Sequence, residues 1–164
     1  MATRPILRWP DARLRKVCAP VGEITGEIRA LAGDMLETMY AAPGRGLAAP
    51  QVGVLRRLFV MDVNGRAGPR APRIFVDPVI EACSDETAIG PEGCLSIPGI
   101  LADVERSVEI EVSWRDLDGT ARRETLAGFA AICAQHEIDH LDGIVTFDRV
   151  RPDLRAGLEE AFRP

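Results

Sequence analysis

The size, composition and charge of the chain limit the classes of protein to which it can belong. It has 164 residues, of which 46% are hydrophobic and 27% charged, as in an ordinary globular domain. The net charge of −5 argues against a general nucleic-acid surface, and no apolar run reaches the roughly 18 residues that a membrane span needs. Charges and prolines interrupt segment 1–16 where a signal peptide would be apolar, so we expect reduced cysteines and a cytoplasmic location.

The N-terminal third is predicted to contain an irregular arm followed by one helix. Thr25 is a suitable N-cap, and the helix should end before Pro43-Gly44. Apolar residues recur at helical spacing in this segment: Ile24, Ile28, Leu31, Met35 and Met39. The following stretch, 44–51, reads GRGLAAPQ. Its glycines favour either a plain helix-to-strand turn or the close approach of another chain.

The middle of the chain is predicted to be rich in strands. Apolar runs at 58–63 and 74–76 indicate buried strands, the second ended by Pro78, with a loop at 64–72 between them. Segments 81–91 and 92–99 read as polar and loop-like. Alternation over 108–115 predicts a strand with one wet face, and a turn at Asp118-Gly119 leads to a return strand at 121–125.

Residues 136–140 read HEIDH and contain the only two histidines of the chain. In a helix, positions i and i+4 share one face, so both imidazoles can bind one metal ion while Glu137 stays free as a base. The histidines continue a helical stripe: Phe129, Ile132, Cys133, His136 and His140. We predict a helix over 126–141 that stops at Gly143, and a short final helix over 153–162.

A catalytic site of this kind uses three protein ligands and keeps one open position. The extended pattern HExxHxxGxxH fails because its last position is Thr146. The third ligand is then either Cys94, whose thiolate suits borderline-soft metals, or Glu159 or Glu160 near the C-terminus. The residues alone leave this choice open.

Three segments in order, GRGLAAPQ, EGCLS and QHEIDH, resemble the signature motifs of the peptide deformylases. The resemblance runs from the N-terminal arm to about Gly143. It implies an α+β fold in one domain, 1–164. Antiparallel strands would pack around a central HExxH helix, with an N-terminal helix and a short C-terminal helix beside them.

The resemblance also implies an activity and a set of roles. The family hydrolyses the formyl group from the N-terminal formyl-methionine of new polypeptides and releases formate. Cys94, His136 and His140 would hold one divalent metal ion, Fe(II) in the cell, with Zn(II) or Ni(II) possible in purified protein. Glu137 would be the general base, and the Gln51 side chain and the Leu95 N–H would stabilise the oxyanion. The implied partner is an N-formylated nascent peptide, with transient ribosome contact and no nucleic-acid or membrane specificity.

The resemblance places a substrate pocket around the metal ligands. Its predicted residues are Gly44, Arg45, Gly46, Gly90, Glu92, Phe129, Ile132 and Cys133. We interpret Glu92 and Arg106 as support that fixes the Cys94 segment, the alternative being a solvated surface pair.

Arg45, Gly90 and Leu101 depart from the family pattern. We expect the Arg45 guanidinium to turn outward at the pocket rim, because an unpaired buried charge is costly. The alternative is that it meets a charged group on the substrate. Three rival functions remain: a divergent deformylase with altered substrate preference, a related protein without turnover, and an HExxH metallopeptidase using Glu159 or Glu160.

Overall fold

The computed structural model describes residues 1–162 of the chain and has four α-helices and seven strands within them. The helices are α1 (Gly26–Ala41), α2 (Gly128–Leu141), α3 (Thr146–Arg149) and α4 (Pro152–Ala161). The strands are β1 (Gly46–Ala48), β2 (Leu58–Met61), β3 (Arg73–Cys83), β4 (Thr87–Cys94), β5 (Ile97–Ser107), β6 (Glu109–Arg115) and β7 (Ala121–Ala127). The predicted α+β class is confirmed. The domain bounds 1–164 stay a prediction, since residues 163–164 lie outside the described part.

Two antiparallel sheets surround α2. The larger has the strand order β1-β2-β3-β6-β7, and β4 and β5 form the smaller one. Helix α2 contacts strands of both sheets, including β1, β5 and β7. The core between helix and sheet contains Phe59 and Phe75, stacked with ring centroids 4.4 Å apart, and Ala134 and Ile138 of α2. The HExxH helix is therefore central, as predicted, because its apolar face is buried by the large sheet.

Helix α1 forms where the apolar spacing predicts it. The Thr25 hydroxyl accepts a hydrogen bond from the N–H of Ile28, which satisfies one of the free donors at the helix start. Leu31, Met35 and Met39 are buried against the edge of the large sheet. The helix ends at Ala41, before Pro43-Gly44. No helix formed by residues 1–162 combines the length and apolar character needed to cross a membrane.

The prediction that Pro78 ends its strand was wrong. Strand β3 continues through Pro78 to Cys83, and its pairing register with β6 shifts between Val76 and Val79. Asp77 has a φ of 50° at this bulge, and its carboxylate accepts hydrogen bonds from the N–H of Val21 and the guanidinium of Arg115. A bulge tolerates proline because the displaced residue does not have to donate to the neighbouring strand.

The loop-like reading of 81–99 was also wrong. Strands β4 and β5 form a long hairpin there, and Cys94 is the last residue of β4. The buried residues of β5 alternate as Ala102, Val104 and Arg106, so one face packs inward although the segment is polar. At the C-terminal side, α2 begins at Gly128, two residues later than predicted, because Leu126 still pairs in β7. The short helix α3 was not predicted.

Candidate metal centre

The end of β4 and the face of α2 bring three potential metal ligands together. The Sγ of Cys94 lies 3.3 Å from Nε2 of His140. One ligand atom from each of Cys94, His136 and His140 lies within 4.8 Å of the others. Helical geometry places the two histidines one turn apart, with ring centroids separated by 5.0 Å. Among residues 1–162 this is the one group of its kind, and neither Glu159 nor Glu160 belongs to it.

The electrostatics of the group favour a metal-binding state of the cysteine. Burial by itself raises the pKa of the Cys94 thiol, but the charges and hydrogen bonds of His140 and His136 hold that pKa well below its usual range. Burial also disfavours the charged form of His136, which lowers its pKa. Hydrogen bonds with Cys94 and Glu92 outweigh this and raise that pKa well above its usual range. A thiolate beside two imidazoles is a donor set for Zn(II), Fe(II) or Ni(II). The residues therefore fit a divalent ion.

One buried polar atom beside the ligands supports this fit. Oε2 of Glu137 has no hydrogen-bond partner among residues 1–162. Buried polar atoms are nearly always paired with protein groups or water, so an unpaired buried oxygen indicates a place for a bound group. Glu137 is 4% exposed, and burial raises the pKa of its carboxyl. A carboxylate with a raised pKa is suited to accept a proton near neutral pH.

A buried ion-pair network holds the ligands in place. Arg106 donates two hydrogen bonds to Glu92, each 2.9 Å long, and a third of 2.6 Å to Oδ2 of Asp139. Oε1 of Glu92 lies 2.9 Å from Nδ1 of His136. Arg106 is 6% exposed, so the alternative of a solvated surface pair is wrong. The pair joins β4, β5 and α2, and it orients His136, one of the three potential ligands, through its second nitrogen.

The sequence interpretation missed Asp139, Arg149 and Ser96. Arg149 of α3 donates hydrogen bonds to Asp139 at 3.0 and 2.7 Å, which extends the network toward solvent. Asp139 occupies a variable position of HExxH, yet it is 8% exposed. The available signal was a carboxylate three residues after His136, hence near it on the helix surface. A buried carboxylate there requires cationic partners.

Gln51 faces the cysteine from the opposite wall. It lies in a short 3-10 helix over Ala49–Val52, where its Oε1 accepts a hydrogen bond of 2.9 Å from the N–H of Ala48. Its Nε2 is thereby directed toward the Cys94 segment and lies 3.1 Å from Oγ of Ser96 and 3.7 Å from Sγ of Cys94. Leu95 follows Cys94 directly at the hairpin turn. Both predicted oxyanion donors therefore lie next to the metal-ligand group.

The glycines of GRGLAAPQ are required by close packing. A Cβ on Gly46 would lie 2.5 Å from Oε1 of Glu137 and 2.8 Å from Sγ of Cys133. A Cβ on Gly44 would lie 2.6 Å from Cδ1 of Leu95. The segment connects α1 to β1, as the first reading predicted, and its glycines also let it pass close to Glu137, Cys133 and Leu95 of the same chain. The approach of another chain stays a prediction.

A cavity of about 730 Å³ opens from the metal-ligand group to solvent. All the residues predicted to bind substrate line it: Gly44, Arg45, Gly46, Gly90, Glu92, Phe129, Ile132 and Cys133. Arg45 is exposed, with its guanidinium carbon 4.8 Å from the centroid of the Phe129 ring. Leu101 also lines the cavity and is 71% exposed. The residues that line the cavity are therefore mostly apolar.

Comparison with known proteins agrees with this site. The chain matches the polypeptide deformylase family over residues 3–156. It is 51% identical to the peptide deformylase of Afipia carboxidovorans over 148 residues, which cover 90% of the chain and 86% of that protein. It is 47% identical to that of Rhodopseudomonas palustris, covering 99% and 94% of the two chains.

Solved structures show the same fold. The crystal structure of a peptide deformylase from Legionella pneumophila superposes with a TM-score of 0.91 at 39% identity, covering 97% of this chain and 92% of that one. One from Synechococcus elongatus, in complex with actinonin, gives 0.91 at 38% identity, covering 99% and 91%. These matches favour a deformylase over an HExxH metallopeptidase. Together with the centre of Cys94, His136 and His140, they show that this chain belongs to the peptide deformylase family.

Proposed function

We propose that this chain removes the formyl group from the N-terminal formyl-methionine of newly made polypeptides and releases formate. The observation that carries the proposal is the placement of Glu137. It lies on α2 between two histidines that face Cys94, and it lines the cavity of about 730 Å³. Family membership supplies the reaction class, and the residues around the cavity supply the roles.

Cys94, His136 and His140 are the residues that would hold the metal ion. When bound, a divalent ion lowers the pKa of a water molecule toward neutral and polarises the carbonyl under attack. The proposed ion in the cell is Fe(II), with Zn(II) and Ni(II) as alternatives in purified protein, because one thiolate and two imidazoles accept all three. Metal analysis after anaerobic purification tests this assignment.

Glu137 is the proposed general base and acid. Its carboxylate is buried, its Oε2 has no partner among residues 1–162, and its pKa is raised by burial. It would take a proton from the attacking water and deliver that proton to the leaving amine nitrogen. The amide carbon–nitrogen bond then breaks, giving formate and a free amino terminus.

Gln51 and Leu95 are the proposed donors to the oxyanion that forms during attack. The hydrogen bond from the Ala48 N–H holds Oε1 of Gln51, so its NH₂ group points toward the Cys94 side of the cavity. The backbone N–H of Leu95 follows the metal-ligating residue. Loss of one preorganised donor typically costs about 10²–10³ in rate. The glycines at 44 and 46 crowd this end, which favours a small acyl group such as formyl.

The substrate also suggests where the protein acts. A formylated nascent chain is available as it leaves the ribosome, so we place the activity in the cytoplasm with transient ribosome contact. No specific recognition of nucleic acid or membrane is part of the proposal.

The experiment measures formate release from an amidated formyl-Met-Ala-Ser peptide by anaerobically prepared protein loaded with Fe(II). Wild type should turn over, whereas Glu137→Gln should keep its metal and lose about 10² or more in kcat. Glu160→Gln is the matched control, because this exposed glutamate lies outside the centre. Absence of formate from metal-loaded wild type would overturn the proposal. Full activity of Glu137→Gln would remove Glu137 from its role.

A further inference from the structure

One charged side chain of the cavity has no role in the chemistry proposed above. Apart from the metal-ligand group, four charged residues line the cavity: Arg45, Glu92, Arg106 and Glu137. Glu92 and Arg106 neutralise each other, and Glu137 serves the reaction. The Arg45 guanidinium has no hydrogen-bond or ion-pair partner among residues 1–162, and its carbon lies 4.8 Å from the centroid of the Phe129 ring.

Arg45 is nevertheless held in place at the cavity mouth. Its carbonyl accepts a hydrogen bond of 2.8 Å from the N–H of Asp62 and lies 3.8 Å from Sγ of Cys133, which anchors the backbone between β2 and α2. The guanidinium packs on the face of Phe129, a favourable cation–π arrangement. On another side, Gly65 approaches so closely that an added Cβ would lie 3.1 Å from Nε of Arg45.

This placement leaves the hydrogen-bonding edge of the guanidinium free. An aromatic ring covers a guanidinium face, whereas the N–H donors lie in its plane and point outward. The planar fork of donors matches a carboxylate, which can accept two parallel hydrogen bonds from it. The other residues at the mouth are apolar, with Ile89 and Leu101 strongly exposed. Among the charged residues that line the cavity, Arg45 is therefore the cation available to pair with an anionic side chain of the substrate.

The distance from the metal ligands indicates which part of the substrate reaches Arg45. Phe129 precedes His136 by seven residues on α2, which is about 10 Å along the helix axis. An extended peptide advances about 3.3 Å per residue. For a peptide that runs along α2 from His136 toward Phe129, this spacing would bring its second or third residue alongside the Arg45 guanidinium.

We infer that Arg45 is a specificity-determining residue that binds the carboxylate of an Asp or Glu side chain at the second or third position of the formylated peptide. The inference rests on the proposed deformylase function. Because the contact is remote from the reacting atoms, it is the same in the ground state and in the transition state. Such uniform binding lowers KM and leaves kcat unchanged.

The test compares formylated tripeptides that differ in one side chain. The series pairs formyl-Met-Glu-Ser with formyl-Met-Gln-Ser, and formyl-Met-Ala-Glu with formyl-Met-Ala-Gln, with formyl-Met-Ala-Ser as baseline. All carry a C-terminal amide, since a free terminal carboxylate would itself bind Arg45. For wild type we expect KM to be about threefold lower for a Glu peptide than for its Gln partner, the size typical of an exposed ion pair. High salt should reduce this difference.

Three variants locate the effect. Arg45→Gln should abolish the preference, and Arg45→Glu should reverse it, so that the Gln peptide of each pair has the lower KM. Arg66→Gln removes an exposed arginine on the neighbouring loop that does not line the cavity, so it should keep the preference. Equal KM values for Glu and Gln peptides in wild type overturn the inference. So does a preference that survives in Arg45→Gln.

A binding measurement separates this inference from the proposed function. Dissociation constants of the unformylated peptides Met-Ala-Glu-amide, Met-Ala-Gln-amide, Met-Glu-Ser-amide and Met-Gln-Ser-amide are measured by calorimetry with wild type and Arg45→Gln. Tighter binding of a Glu peptide that depends on Arg45 supports the inference even if no formate is released. Turnover of formyl-Met-Ala-Ser without any Glu–Gln difference overturns the inference and leaves the proposed function standing.

Discussion

Nδ1 of His136 lies 2.9 Å from Oε1 of Glu92. The carboxylate cannot swing away, because Arg106 holds both of its oxygens. Burial raises the pKa of Glu92, but hydrogen bonds from His136 and Arg106 outweigh it and lower that pKa to about 2. With one ring nitrogen of His136 occupied, the other is left to face Cys94. The orientation of His136, a potential metal ligand on α2, is thus decided by a residue of β4 and a residue of β5.

Removal of Arg106 should strongly destabilise the protein. Arg106→Ala leaves the buried carboxylates of Glu92 and Asp139 without their shared cation, and breaking such a pair typically costs about 3–5 kcal/mol. The control is Arg151→Ala, whose pair with Asp153 is exposed and should contribute less than about 1 kcal/mol. Urea unfolding of both variants measures the difference. Equal losses would contradict the structural role of the network.

The proposal that Cys94 is the third metal ligand can be tested by comparing substitutions of Cys94 and Cys133. Cys94→Ser should weaken metal binding by more than the roughly 10–100-fold that loss of an outer-shell partner costs. Cys133→Ser should keep the metal: its thiol is buried, and this burial raises its pKa well above the usual range. Metal content after dialysis against a chelator measures both. Metal loss from Cys133→Ser combined with retention in Cys94→Ser would exclude the assignment.

The close approach of Gly46 to Glu137 makes this glycine sensitive to a single methyl group. In Gly46→Ala the Cβ would lie 2.5 Å from Oε1 of Glu137, so the carboxylate has to shift. Glu137 is the proposed general base, and displacing a catalytic group by about 1 Å can cost about 10² in rate, so we expect a loss of this size in kcat. Gly157→Ala is the control, because its Cβ meets nothing within 4 Å. A fully active Gly46→Ala would show that the base tolerates displacement.

Tyr40 is the only tyrosine of the chain, so its titration can be followed directly by ultraviolet absorbance. Burial and a hydrogen bond of 2.6 Å to Asp62 raise its pKa to about 12. An unfolded tyrosine titrates near about 10, so the folded state holds this proton more tightly. The resulting stability is complete below about pH 10 and is lost as the pH rises toward about 12. Asp62→Asn should move the absorbance midpoint down. A wild-type midpoint near 10 would refute the contact.

Local patterns in the sequence predicted the elements whose stability depends on neighbours along the chain. The spacing of Leu31, Met35 and Met39 after the Thr25 cap gave α1, and the HExxH spacing placed two imidazoles on one face of α2. Both depend on the 3.6-residue period of the helix, which is a property of the local backbone. The three ordered motifs then indicated the deformylase family. They also indicated Cys94 as the third metal ligand, a choice that the residues alone had left open between Cys94 and Glu159 or Glu160.

Long-range packing decided the rest. Strand β3 passes Pro78, and the β4–β5 hairpin forms from polar residues, because each pairs with a partner that local spacing does not reveal. The burial of Arg106 depends on two carboxylates, Glu92 and Asp139, that lie 14 and 33 residues away in sequence. A charged residue looks the same in a sequence whether it is solvated or buried. Only the folded chain supplies the partners that offset its desolvation. The tertiary structure therefore shows which charges lie in the network beside the candidate metal centre, and that Arg45 has no ion-pair partner within residues 1–162.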